Sequence, residues 1–257
     1  MSDVLLCQRD KRGVVTLRLN RPEKHNALNA GLISSLGEQI KKLHEDDSVR
    51  VVILTGEGQS FCSGADLSWM QEAVEFDETA NYEDACSLAD VLLSLYELNK
   101  PTIARINGDA YGGGIGLLAC CDITIAAEHA HFAFTEVHLG LIPAIISPYI
   151  VLGVGARQTQ RLFMTAERFS AQQALAYGLI QESVNRQNLD ECVESSVASL
   201  FKAGPNALTE TKKLIHQLTP LTNHEDLARC IARLRVSNEG QAGLRAFLNK
   251  TSPPWRD

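Results

Sequence analysis

The sequence predicts an α/β core followed by a helical C-terminal part. Three observations carry that reading. Short β-branched or apolar runs alternate with helix-period segments over the first two thirds of the chain. The run Val49–Thr55 (VRVVILT) is almost continuously apolar, as in a parallel strand covered on both faces. From Ser170 to Leu248 helical periods dominate and the strand signal fades.

Taken in order, Val14–Leu19 (VVTLRL) reads as a strand, stopped by the breaker Arg21-Pro22. Asn29 is placed to cap a helix over Ala30–Glu45, with Leu32, Ile33, Leu36, Ile40 and Leu43 on one face. After Val49–Thr55, residues Gly56–Ser63 read as a loop and Asn81–Leu98 as a helix. Pro101–Ile106 is a strand closed by an Asn107-Gly108 turn. Gly112-Gly113-Gly114 opens an apolar segment through Cys121, read as a buried helix; Asp122–Ala126 and Phe132–Phe134 are strands, and Glu136–Pro143 is a loop. A boundary near residue 190 divides a 1–190 core from a 191–257 helical region.

Composition removes several function classes. With 24 Lys+Arg against 31 Asp+Glu the 257-residue chain carries a formal charge of −7, and it has no Lys/Arg-dense run, which argues against a nucleic-acid partner. A 45% apolar content is enough for a large folded core and rules out disorder as the main description. The seven cysteines show no CxxC pair and no zinc-ligand spacing, so reduced, mostly buried thiols are expected. The N-terminus has neither signal-peptide nor transit-peptide character, and the apolar run Ile115–Ala127 is broken by Asp122, short of a membrane span. A soluble, cytoplasmic protein with no membrane partner is expected.

Two glycine-containing turns are candidates for chemistry: Phe61-Cys62-Ser63-Gly64-Ala65-Asp66-Leu67 and Ala110-Tyr111-Gly112-Gly113-Gly114-Ile115-Gly116. Each follows a strand and leads toward a helix, where first-turn N–H groups lack intrahelical partners. One donor from each turn, converging on one oxygen, would make an oxyanion hole; the alternative is close packing at strand–helix turns. GGGIG does not fit GxGxxG and no GxxxxGK occurs, which argues against nucleotide-phosphate cradles.

Glu136, in FTEVHLGLIP, sits in apolar company that should raise its pKa into a range useful for proton transfer; the alternative is a surface glutamate at the start of a loop. Were the strand to continue, His138 would share its face. His129 and His131 lack a third ligand, so no metal is expected. Trp69 and Met70 read as pocket wall or core, and Lys24 either meets a phosphate or is simply solvated.

The segments NRPEKHNALN, ILTGEGQSFCSGADL, KPTIARINGDAYGGGIGL and ACCDITIAAEHAHFAFTEVHLGLIP, in this order, closely resemble the crotonase family, the enoyl-CoA hydratase/isomerase superfamily. The resemblance runs from about residue 10 to 255. It implies a spiral of ββα units with a helical C-terminal trimerisation region, assembled as a homotrimer or dimer of trimers. It also implies an acyl-CoA substrate, with coenzyme A part of that substrate and no separate cofactor. By the same resemblance the thioester oxygen meets the N–H groups of Ala65 and Gly113, Glu136 is the catalytic carboxylate, and CoA contacts fall at Lys24 through Ala27, at Ala65, Asp66 and Leu67, and at Lys250.

Two departures stand out. Family hydratases pair two glutamates, and the first position here is Gly116. The usual glycine-rich stretch after LGLIP is AIISPYI, Ala144–Ile150. With GGGIGLLACCD and the TEV motif this resembles the bacterial branch of 3-methylglutaconyl-CoA and isohexenylglutaconyl-CoA hydratases. The expectation is that Gly116 widens the pocket for a substrate carrying its own second carboxylate, with Tyr111, His138 and Ser147 as polar candidates to replace the missing group. The rival readings are a Δ3-Δ2 enoyl-CoA isomerase using Glu136 alone and a non-catalytic CoA-binding protein.

Overall fold

In chain order the elements of the protein, seen in a computed structural model that describes residues 3–255, begin with β1 (Leu5–Arg9), β2 (Val14–Leu19), α1 (Ala30–Glu45), β3 (Val51–Gly56), α2 (Leu67–Glu75) and α3 (Glu78–Tyr96). Then come β4 (Thr102–Ile106), β5 (Ala110–Tyr111), α4 (Gly113–Ala119), β6 (Ile123–Ala127), β7 (His131–Ala133), α5 (Ser147–Val154) and α6 (Ala156–Thr165). The chain continues through β8 (Phe169–Ser170), α7 (Ala171–Tyr177), β9 (Glu182–Val184), α8 (Leu189–Phe201), α9 (Pro205–Leu218), α10 (His224–Arg235) and α11 (Asn238–Leu248).

A six-stranded sheet runs in the order β1-β2-β3-β4-β6-β9. Only β1 is antiparallel to its neighbour; the other pairings are parallel. A smaller sheet joins β5, β7 and β8. Strand β3 is central, and all of its residues are buried, because each face has its own cover. Val52 and Leu54 point into the main core with Leu32, Leu36 and Ile40 of α1, while Val51 and Ile53 meet Leu189, Val193 and Val197 of α8 on the other side. Each such buried side chain contributes about 1.5–3 kcal/mol relative to exposure.

Helix α1 follows the predicted pattern to its ends: the Asn29 side chain accepts from the Leu32 N–H at 2.9 Å, and the five predicted apolar residues are buried. Helix α3 starts earlier than the period suggests, because Asp77 caps it through the Ala80 N–H. Strands β1, β5, β8 and β9 are additions to the sequence reading; β5, like β8, has only two residues. β1 buries only Leu5 well, β9 buries none of its residues fully, and β8 has two residues, so none shows the alternation that marks a strand. β7 ends at Ala133; the chain then forms a 3-10 helix over Glu136–Leu139, so Glu136 and His138 do not share a strand face.

The helices beyond residue 190 fold back. α10 packs along α3 and α11 against α2, which brings C-terminal residues over the two glycine turns. All seven cysteines are free thiols, but only Cys62, Cys120 and Cys121 are buried, with Cys7 exposed and the rest half-buried. The expectation of mostly buried thiols is therefore corrected: Cys7 lies on the edge strand β1, and Cys86, Cys192 and Cys230 lie on α3, α8 and α10 at half-buried positions.

Candidate active site

The first glycine turn is held from both sides. On one side Phe61 and Cys62 N–H donate to Asp109 O, and Tyr111 N–H donates to Cys62 O at 3.0 Å, pairing Cys62 with Ala110 in parallel. On the other, Leu28 N–H donates to Gly64 O at 2.7 Å and Asp66 N–H to Leu28 O at 2.8 Å. The polar side chains of Asn26 and Asn107, both buried, tie the intervening loop: Asn26 Nδ2 donates to Glu57 O and Ser60 O, and Asn107 Nδ2 to Gly58 O and Ser60 O. Sequence reasoning missed both as positioning residues; the Asn107-Gly108 turn was the only signal.

This pattern orients two amides. In a trans peptide the C=O and N–H point in opposite directions. Gly64 O points to Leu28, so the Ala65 N–H points away from Leu28, on the side of the second turn. Gly112 O accepts from Gly116 N–H along α4, so the Gly113 N–H points out of the first turn of that helix. Among the described residues neither amide donates a hydrogen bond, and both residues line one cavity.

That cavity has a volume of about 550 Å³, within the range of small-molecule sites. Its walls are largely apolar, from Trp69, Met70 and Leu88 on one side to Leu141, Ile145 and Ile146 on another. Glu136 stands in it at the start of the 3-10 helix. Its Oε2 is buried and has no hydrogen-bond partner among the described residues. Loss of hydration raises its pKa from 4.5 to about 7, opposed only by its own backbone N–H. The carboxyl group lies against the second glycine turn: a Cβ at Gly112 would stand 3.1 Å from Glu136 Oε1. Gly112 has φ +47° and ψ −122°, which a side chain would strain, so glycine there meets both a backbone and a space requirement.

A second carboxylate, Asp84 of α3, lines the same cavity, but its oxygens are taken by Trp69 Nε1 at 2.7 Å and Arg235 Nη1 at 2.7 Å. Trp69 thus serves as both wall and polar anchor. Asp84 and Arg235 were not singled out in the sequence, since charged residues on two amphipathic helices carry no local mark of facing one cavity.

The role expected of Gly116 is overturned. Gly116 is buried outside the cavity lining, and a Cβ there would come within 2.4 Å of Ile146 Cγ2 and 3.3 Å of Leu92 Cδ1. Ile146, from the AIISPYI segment, fills the space, so the cavity is not widened and its wall there is apolar. The two sequence departures are one packing exchange.

The remaining predicted residues are dispersed. Lys24 is exposed on a 3-10 turn and Ala27 is buried beside it. Asp66 caps α2 through Ser68 N–H and pairs with Arg21 Nη2 at 2.6 Å, while Arg21 Nη1 also donates to Ala27 O. Leu67 is 56% exposed and Lys250 is exposed with φ +56°. None of these five lines the cavity, although Ala65 and Leu28 do. Tyr111 lines it, but its hydroxyl donates to Asp109 Oδ2 at 2.8 Å; burial and that carboxylate push its pKa up to about 12. His138 lines the cavity and Ser147 does not, its hydroxyl donating to Ala144 O. Among the described residues no group of three or more His, Cys, Asp or Glu is placed to hold a metal.

A family model described as enoyl-CoA hydratase/isomerase matches residues 9–257. The chain belongs to the enoyl-CoA hydratase/isomerase family. It is 32% identical over 251 residues to hydroxycinnamoyl-CoA hydratase-lyase of Pseudomonas fluorescens, covering 93% of this chain and 90% of that one. It is 29% identical over 260 residues to 2,3-dehydroadipyl-CoA hydratase of Escherichia coli K12, covering 100% and 99%. Among solved structures, an enoyl-CoA hydratase from Shewanella pealeana superposes with a TM-score of 0.82 at 37% identity, covering 98% of this chain and 96% of that one. The spiral α/β fold expected from the resemblance is the fold of these crotonase-type neighbours.

Proposed function

We propose that this member of the family is an enoyl-CoA hydratase, a hydro-lyase that adds water across the 2,3 double bond of an acyl-CoA. The observation that carries the reading is the carboxyl group of Glu136, whose Oε2 is buried without a hydrogen-bond partner among the described residues, in a largely apolar cavity that also receives the unused amides of Ala65 and Gly113.

The chemistry follows from that arrangement. Glu136 takes a proton from water as the hydroxyl oxygen bonds to the β-carbon. The electrons of the double bond move to the thioester oxygen, and the Ala65 and Gly113 amides stabilise this enolate; a single such donor is typically worth about 2.7–4 kcal/mol of barrier. The enolate collapses as the α-carbon takes a proton back from Glu136, so H and OH are added and the carboxylate is regenerated. A pKa of about 7 suits a group that must both accept and return a proton at neutral pH.

For the acyl group we propose a branched glutaconyl chain, as in 3-methylglutaconyl-CoA of leucine breakdown or isohexenylglutaconyl-CoA of acyclic terpene breakdown. Relatives named for hydroxycinnamoyl-CoA and 2,3-dehydroadipyl-CoA differ in their acyl groups, so support for this finer reading comes from the motifs of this chain. We also propose that CoA lies along Lys24–Ala27 and Ala65–Leu67 with Lys250 near its phosphates, and that no further cofactor takes part. Residues 191–257 are proposed to join copies into a homotrimer or dimer of trimers in the cytoplasm. Among the described residues no helix is long and apolar enough to cross a membrane.

One observation favours a second reading. With Ile146 packed against Gly116, Glu136 has no carboxylate at that position to share the work, which also suits an isomerase moving one proton between the α- and γ-carbons. Reaction of 3-methylglutaconyl-, isohexenylglutaconyl- and crotonyl-CoA in ¹⁸O-water, with products read by mass, separates the two. Hydration places ¹⁸O in the product; isomerisation leaves the product mass free of it.

A further inference from the structure

We infer that Arg235 is the residue that recognises a carboxylate at the far end of the acyl chain. The inference rests on the acyl-CoA reading of the cavity and deepens it by assigning the acyl group's charge to one side chain.

Arg235 ends α10 and, among the described residues, is the only Lys or Arg that lines the cavity. Its side chain is 18% exposed, too covered for an ordinary surface cation. Asp84 accepts from its Nη1 at 2.7 Å, and Asn81 Oδ1 lies 3.5 Å from the same nitrogen. Asp84 is in turn fixed by Trp69 Nε1. One edge of the guanidinium is therefore anchored to α2 and α3. Among the described residues Nε and Nη2 donate to no acceptor. These two nitrogens form the parallel fork that a carboxylate takes with both oxygens.

The surroundings favour such a ligand. Met70, Leu88, Ile231 and Leu244 line the same cavity, so a charge-assisted pair among these apolar side chains is less screened than on the surface. Asp84 already has hydrogen bonds from both neighbours; it offsets the delocalised charge of Arg235 but uses only the Nη1 donor. An uncharged acyl chain would displace water from Nε and Nη2 and leave them unpaired, whereas a terminal carboxylate would satisfy both. A site built this way rejects the analogue that lacks the polar group more strongly than an apolar wall can.

The phosphates of CoA offer the other anionic partner, and the test distinguishes them. Affinities of the wild type for glutaryl-CoA, butyryl-CoA and free CoA are measured by calorimetry. The expected result is at least tenfold tighter binding of glutaryl-CoA than of butyryl-CoA, removed in Arg235→Met and reduced in Arg235→Lys, which keeps the charge and loses the fork. In turnover, the ratio of kcat/KM for glutaconyl-CoA to that for crotonyl-CoA should fall by about 100-fold in Arg235→Met. Equal affinity of the wild type for glutaryl- and butyryl-CoA overturns the inference, whatever the variants do. So does a preference that survives in Arg235→Met, or a loss in that variant that is as large for free CoA. If Arg235→Met does not fold, the wild-type comparison and Arg235→Lys decide, and an undiminished preference in Arg235→Lys counts against the fork. Failure of the hydratase reading has a separate signature: the binding preference is present, but no acyl-CoA in the panel gains water.

Discussion

Glu136 and Asp84 are two carboxylates on one cavity, and their surroundings give them opposite tasks. Asp84 sits at the junction of α2, α3 and α10 and has both oxygens occupied, by Trp69 and Arg235. Glu136 sits on a 3-10 turn beside Gly112, with Oε2 buried and unpartnered. The first arrangement holds a charge in place and makes it useless as a base. The second leaves a carboxyl group poorly hydrated, so its proton is held until a reacting molecule offers a better distribution of charge. Partners, more than burial, decide which acid joins helices and which moves protons.

The comparison is broken most directly at Glu136. Glu136→Gln should lower kcat for hydration by about 10²–10⁴-fold while acyl-CoA affinity stays within a few fold, as measured by steady-state kinetics and calorimetry. Retained turnover would remove the proton-transfer role. The pH profile sharpens the same point: kcat/KM should fall as pH drops below about 7, because protonation removes the base.

Stability should show the opposite sign. The folded-state pKa of Glu136 is raised, so its contribution is fully present below the unfolded-state value and is lost as pH rises through about 7. Between those values the folded protein holds a proton that the unfolded chain releases. Urea unfolding at pH 5 and pH 8 should find wild-type stability falling relative to Glu136→Gln by on the order of 3 kcal/mol. A constant difference between the two proteins would mean that the carboxyl group is better hydrated than its burial implies.

At Asp84 the effect should be structural. Asp84→Ala leaves Arg235 and the Trp69 N–H without their acceptor and should cost about 1–3 kcal/mol in urea unfolding at every pH where the pair is ionised. Smaller still is the test of the exchange behind the cavity. Gly116→Ala should cost about 1–3 kcal/mol by overpacking against Ile146 Cγ2, and Ile146→Ala, which removes that methyl group, should relieve part of it in a double-mutant cycle. Additivity would show that the two positions do not share one space.

Local pattern was enough for much of this molecule. Asn29 and the apolar residues Leu32 to Leu43 specify α1, since the cap and the 3.6-residue period are written in neighbouring positions. The unbroken apolar run of β3 announces a strand with cover on both faces. Glu136 could be singled out because its own flanking residues are apolar. The edge strands β1 and β9 escaped because one side of each meets water or little else, and their residues look like those of any loop. Gly116 was misjudged for a different reason: a missing side chain in the sequence does not say whether space is left open, and Ile146 takes it.

By itself, then, the chain's order of residues determined its class, its central strands and helices, its family and the acid around which chemistry can be built. These depend on contacts between near neighbours or on motifs that are contiguous. Only the tertiary structure decided that Asp84 is spent on Trp69 and Arg235, that Arg235 lines the cavity, and that Gly116 and Ile146 share one volume. Each of those pairings joins side chains from segments far apart in the chain, and its outcome is set by packing angle and distance, which no local pattern encodes.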